Sequence, residues 1–198
     1  MNKSANTNYP IHDLLANRWS PRAFSEQAIS PDTLGSLLEA ARWAASSYNA
    51  QPWRFIVATK EDPEGFDKML HCLGKFNQQW AKQASVLMIA VANLHFDYNG
   101  KANPHAWHDV GQALANLTVQ ATAHDLYVHQ MAGFSPDKAR ETYDIPDGYQ
   151  AITAVAIGYI GNPDDLPDRL RQAEIGERSR KPLNEIVFSG QWGNSAGY

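Results

Sequence analysis

A single cysteine, Cys72, stands in a chain of 198 residues. No internal disulfide can form, and no thiolate cluster is available for zinc or an iron–sulfur centre. Charge is sparse as well: 19% of residues are charged and the net charge is −4, which generates no field suited to gathering nucleic acid or an anionic membrane. The longest apolar run, Val86 to Ala92, is far short of the roughly 20 residues that a membrane-spanning helix needs. Met1 to Asn8 is polar where a signal peptide would carry its apolar stretch. These absences point to a cytoplasmic protein with neither membrane nor nucleic acid among its partners. There is also no Gly-x-Gly-x-x-Gly fingerprint; Gly158 and Gly161 alone are too sparse for a resident dinucleotide loop. Without a Gly-x-Ser-x-Gly elbow, a serine hydrolase finds no support. His105 and His108 lie one helical turn apart beside Asp109, with His95 upstream. A metal would want three or four fixed ligands, so no metal is expected. No catalytic acid, base or nucleophile can be assigned.

What is present is a 43% hydrophobic composition with six tryptophans and eight tyrosines. That is enough for one domain over residues 1–198, with residues 1–8 expected to be flexible. Ile11, Leu14 and Leu15 suggest a short helix. Ser30-Pro31-Asp32 is an N-cap, first-turn proline and early acid, opening a helix whose stripe is Leu34, Leu37, Leu38 and Ala41. Phe55 to Ala58 is a strand, and Phe66, Met69, Leu70 and Leu73 mark a helix ending near Gly74, with Cys72 assigned to its packing. Ser85 to Asn93, apolar almost throughout, fits a strand covered on both faces. The longest helix starts near Pro104, with Trp107, Val110, Leu114, Leu117 and Ala121 as its inward stripe. Ala113, Asn116 and Gln120 then fall on a side open to another helix or a ligand. Leu126 to Met131 is a strand, Ser135-Pro136-Asp137 caps a helix, and Ala151 to Ile160 is the last β-rich run. Residues 161–198 show weak periodicity and little core of their own. The sum is an α+β layer, a four- or five-stranded sheet flanked by helices.

Two segments carry an unusual inventory. Arg18, Ser20 and Arg22 alternate, and alternate side chains of an extended loop point the same way, so two guanidinium forks and a hydroxyl can converge on one phosphate. Arg178-Ser179-Arg180 repeats the alternation near the C-terminus. Between them, Ser46-Ser47-Tyr48-Asn49-Ala50-Gln51-Pro52-Trp53 holds small hydroxyls and an amide that favour turns. Asp109-x-Gly111 with Asn116-Leu117, and Met131-Ala132-Gly133-Phe134, complete the set.

In order and spacing this set resembles the FMN-dependent nitroreductase family over nearly the whole chain, from Asn17 to Trp192. The resemblance implies a mostly antiparallel sheet, a homodimer, and a tail over residues 161–198 that embraces the partner. It assigns FMN contacts to Arg18, Trp19, Ser20, Arg22, Ser46, Ser47, Asn49, Met131, Gly133, Arg178 and Arg180, leaving open which late arginine meets the phosphate. It implies an NAD(P)H oxidoreductase, with NADH or NADPH as donor, that reduces nitroaromatics, quinones or similar flat acceptors by ping-pong hydride transfer. Tyr48, Phe76, Trp80, Phe96 and Trp107 are candidates for the acceptor face. Two alternatives remain: related flavin chemistry, such as reductive dehalogenation or flavin fragmentation, and a flavin-binding protein without turnover.

Overall fold

Eight consecutive residues with no exposed member, Val86–Asn93, form the strand around which everything else is layered. The computed structural model describes residues 3–198; of the segment 1–8, Met1 and Asn2 lie outside the described residues. In chain order the elements are α1 (Asp13–Asn17), α2 (Pro31–Arg42), β1 (Trp53–Thr59), α3 (Pro63–Leu70), α4 (Lys75–Ala81), β2 (Val86–Asn93), α5 (Ala106–Ala123), β3 (Leu126–Met131), α6 (Pro136–Tyr143), β4 (Tyr149–Tyr159) and α7 (Asp168–Ile175). The strands make one sheet in the order β1-β2-β4-β3, and all three pairings are antiparallel.

Strand periodicity divides the core in two. Val86, Met88, Ala90 and Ala92 of β2 face α2 and α5, packing with Leu37, Ala41, Val110, Leu114 and Leu117. Leu87, Ile89 and Val91 face the other way, toward Phe66, Met69, Trp80, Ala139 and Leu170 of α3, α4, α6 and α7. Both faces of β2 are therefore dry, which explains why its sequence lacks the polar alternation of a half-exposed strand. Cys72 is fully buried in the second layer.

Three expectations need correction. The helix at Lys75–Ala81 and the helix at Asp168–Ile175 are additional to those anticipated. On α5 the expected inward stripe holds at Val110, Leu114, Leu117 and Ala121, but Trp107 and Ala113 lie on the sides opposite to those expected. Trp107 is 54% exposed while Ala113 is fully buried, and the open face runs through Trp107, Gly111, Ala115 and Asn116. Ala113 sits one turn before Leu117, in the core layer that α5 shares with α2 and β2.

The C-terminal segment has two parts. Leu166 and Leu170 reach the core, and α7 packs on its own chain. From Ser179 onward, the hydrogen bonds found among the described residues are all internal to the segment, including a Phe188–Ser195 bridge. Ile186 and Trp192 are exposed there.

Candidate functional site

The loop from Arg18 to Phe24 is bolted to the sheet through its backbone. Gly161 N donates to Ala23 O at 2.8 Å, and Ser25 N donates to Tyr159 O at 3.0 Å, beside a Phe24–Ile160 bridge. This approach requires glycine: a Cβ on Gly161 would lie 2.5 Å from the carbonyl carbon and oxygen of Phe24. From β3, Nδ1 of His129 is 2.8 Å from Pro21 O, and the ring lies 4.5 Å from that of Trp80. Burial pushes the His129 imidazole down to about 4, with the positive charge of Arg22 acting in the same direction. The neutral ring therefore donates to Pro21 O. Trp19 meets Tyr127 edge-on at 5.9 Å.

So held, the loop turns Arg18, Ser20 and Arg22 into one cavity of about 240 Å³, walled also by Trp19, Arg178 and Arg180, with Lys3, Glu174 and Glu177. Nη1 of Arg18 donates to Ser20 Oγ at 3.3 Å, so both point the same way. The cavity is electrostatically unfinished. Burial, then the neighbouring charges of Arg178 and Arg180, lower the Arg18 pKa from its ordinary value. Arg178 is lowered by burial and by Arg180. Among the described residues none of these four arginines has a carboxylate within ion-pair distance. Arg22 Nε is buried without a partner. A cluster of repelling cations with an orphaned buried donor fits a multiply charged oxyanion, because such an anion would satisfy the donor and neutralise the repulsion.

The two late arginines differ. Arg178 donates through Nη1 to Lys3 O and Ala16 O, and through Nη2 to Arg18 O at 2.8 Å. Arg180 is exposed and makes one bond, to the adjacent Ser179 O at 2.7 Å. Arg180 thus keeps its guanidinium fork available, whereas Arg178 has spent most of its donors on backbone.

Ser46, Ser47 and Asn49 are not part of this cavity. Their loop leaves α2 through left-handed backbone at Tyr48 (φ 52°), Asn49 (φ 54°) and Gln51 (φ 47°), none of them glycine. Such strain persists only where surroundings impose it. Here Asp109 Oδ2, on the first turn of α5 and 2% exposed, accepts from Ser47 N at 2.9 Å. Ser46 Oγ accepts from Gln51 N at 3.1 Å. Tyr48 contacts Phe96 and Tyr98 at ring distances of 6.0 and 6.3 Å. The arginine loop instead lies at the other end of α5, where Trp19 shares a cavity with Thr122 and Ala123. Thirteen residues separate Asp109 from Thr122, about 20 Å at 1.5 Å per residue.

Met131 ends β3 with its side chain buried, so only its backbone is offered. Gly133 is exposed, and its carbonyl accepts from Gly74 N at 2.9 Å and Asn77 Nδ2 at 3.0 Å. A Cβ there would lie 2.6 Å from Asn77 Nδ2. This strand end connects to the arginine loop through His129. Of the aromatic candidates, Trp80 is fully buried and Phe96 nearly so, while Tyr48, Phe76 and Trp107 are exposed. Sequence reasoning missed Lys3, His129 and Glu174. Nothing in their local sequence marks them, because each acts through a contact remote in the chain.

A model of the Nitroreductase family matches residues 15–159. The Major NAD(P)H-flavin oxidoreductase of Aliivibrio fischeri is 29% identical over 227 aligned positions, covering 89% of this chain and 96% of that protein. An uncharacterized 15.4 kDa protein of Mycolicibacterium smegmatis is 30% identical over 147 residues, 71% of this chain and 98% of its own. Among solved structures, one described as an oxidoreductase containing FMN superposes with a TM-score of 0.92 at 36% identity, covering 98% of each chain.

Proposed function

The chain belongs to the nitroreductase family, and from that premise we propose that it is an FMN-dependent NAD(P)H oxidoreductase whose acceptors are nitroaromatics, quinones or similar flat molecules. The observation that carries this reading is the uncompensated arginine cavity with its orphaned Arg22 Nε. Arg18, Arg22 and Arg180 would hold a terminal phosphate, with Ser20 Oγ as a neutral partner and Trp19 as an apolar wall. Backbone at Met131 and Gly133 would line the ring. Bound FMN supplies the hydride chemistry, and the protein supplies binding, orientation and polarity.

The hydroxyl loop requires a second chain. Ser46, Ser47 and Asn49 sit about 20 Å along α5 from the arginines. A two-fold pair that lays the α5 helices against each other in opposite directions would bring one chain's hydroxyl loop to the other's arginine cavity. The open α5 face through Gly111 and Ala115 suits such close packing, and the outlying segment after Ser179, with exposed Ile186 and Trp192, suits a partner's surface. Donor and acceptor would then occupy one pocket in turn, since the chain has no separate dinucleotide loop. A cytoplasmic setting supplies the donor; no helix among the described residues is long and apolar enough to cross a membrane.

The test begins with an absorption spectrum. Purified protein should carry one FMN per chain, and NADH or NADPH should bleach it. With donor varied at several acceptor concentrations, double-reciprocal plots should be parallel. Intersecting lines would overturn the shared pocket, bleaching without acceptor turnover would favour the flavin-binding alternative, and a protein that takes up no FMN would overturn the reading altogether.

A further inference from the structure

Glu174 is the most deeply buried carboxylate among the described residues, 1% exposed, and it lies in α7, 151 and 152 residues beyond the two loop residues it binds. Its Oε1 accepts from Arg22 N at 2.8 Å and from Ala23 N at 3.0 Å, and its Oε2 accepts from Arg22 N at 3.0 Å. Four residues later, Arg178 does the converse, donating to the carbonyls of Lys3, Ala16 and Arg18. Lys3 Nζ closes the ring by donating to the carbonyls of Glu174 and Gly176. The C-terminal segment therefore grips the arginine loop from both ends, a carboxylate accepting from its Arg22 and Ala23 N–H groups and a guanidinium donating to its Arg18 carbonyl.

We infer that Glu174 is a positioning residue for phosphate recognition: its carboxylate, paired with the Arg178 clasp, sets the register between the arginines of the 18–22 loop and Arg180. The inference rests on the reading of this cavity as a phosphate site. Three features of chemistry support it. An ionised carboxylate is acceptor-only, so both oxygens can take N–H groups with no donor turned against them. Bonds from N–H to a buried carboxylate are charge-assisted and directional. The negative charge also stands in the wall of a cavity crowded with guanidinium groups but outside ion-pair distance of them, so it holds the backbone without taking the place of an anion. The N–H groups of Arg22 and Ala23 are occupied by Glu174, so from these two residues a bound phosphate has only the Arg22 side chain to meet.

The experiment compares FMN with riboflavin, which lacks the phosphate, in binding to flavin-free protein by fluorescence quenching, alongside amide hydrogen exchange at Arg22 and Ala23. Glu174→Ala should weaken FMN by about 10- to 100-fold, the loss of one or two charge-assisted bonds' worth of ordering, and riboflavin by less than about 3-fold. Exchange at Arg22 and Ala23 should accelerate without ligand. Glu174→Gln retains one oxygen acceptor but turns an NH₂ toward Arg22 N, and should give an intermediate FMN-to-riboflavin ratio; it also serves if Glu174→Ala does not fold. A variant that weakens both flavins equally, or neither, would overturn the inference while leaving the site reading intact. Wild-type protein that binds riboflavin as tightly as FMN would overturn the phosphate reading, and this inference with it.

Discussion

At the scale of single residues, the arginines of the cavity are separable by what they already hold. Arg22 and Arg180 should each cost about 10- to 100-fold in FMN affinity when replaced by alanine, since a charge-assisted hydrogen bond contributes roughly 1.5–3 kcal/mol. Riboflavin binding should be insensitive to both, and titration of flavin-free protein with each ligand measures the difference. His129 supplies a pH signature. Its imidazole has an ordinary value of 6.5 and is lowered to about 4 in the fold. Between those values the unfolded chain takes up a proton that the folded chain refuses, so the His129 contribution is intact above about pH 6.5 and is lost progressively as pH falls toward 4. Urea midpoints measured across this window should fall more steeply for wild type than for His129→Gln. The alternation of Arg18, Ser20 and Arg22 was legible because extended backbone puts alternate side chains together. The distinction between Arg178 and Arg180 was not, because it depends on carbonyls of Lys3, Ala16 and Arg18 more than 150 residues away.

At the scale of elements, the site is positioned by junctions between them. The clearest is the crossing of the arginine loop over the end of β4, where Gly161 admits the backbone of Phe24. Gly161→Ala would force a Cβ into that backbone and should destabilise the fold by about 1–3 kcal/mol, as overpacking does; a denaturation curve checks this. Flavin-free protein should lose FMN selectivity in parallel, because the same junction aims Arg18 and Arg22. Most elements could be read from apolar spacing. Strand β3 was anticipated at Leu126–Met131, and β2 within one residue. Helix α7 escaped because the position one turn after Leu170, where a core residue would complete the stripe, is Glu174. Helix α4 escaped for a different reason. It is seven residues long, its N-cap is Gly74 with no side-chain cap, and only Trp80 and Ala81 are buried. On α5 the spacing of three and four holds from Val110 to Ala121 but extends one step too far at Trp107, which opens outward at the start of the helix.

At the scale of the whole molecule, the proposed two-fold pair makes assembly and cofactor binding one property. Sedimentation at micromolar concentration should show a dimer, and removal of residues 183–198 should weaken it. That segment carries exposed Ile186 and Trp192, and apart from Glu185 N to the adjoining Pro182 O its hydrogen bonds among the described residues are internal, so its loss should leave the secondary structure of the remaining chain intact by circular dichroism. The placement of the two motif loops at opposite ends of α5 has a genetic consequence. A chain disabled in its arginine loop and a chain disabled in its hydroxyl loop carry lesions that fall in the same site of a mixed pair, leaving the other site wholly wild type. Arg22→Ala and a Ser47 variant, each inactive alone, should therefore complement when co-refolded, with roughly a quarter of all sites restored if chains pair at random. Two lesions in the same loop should not complement at all.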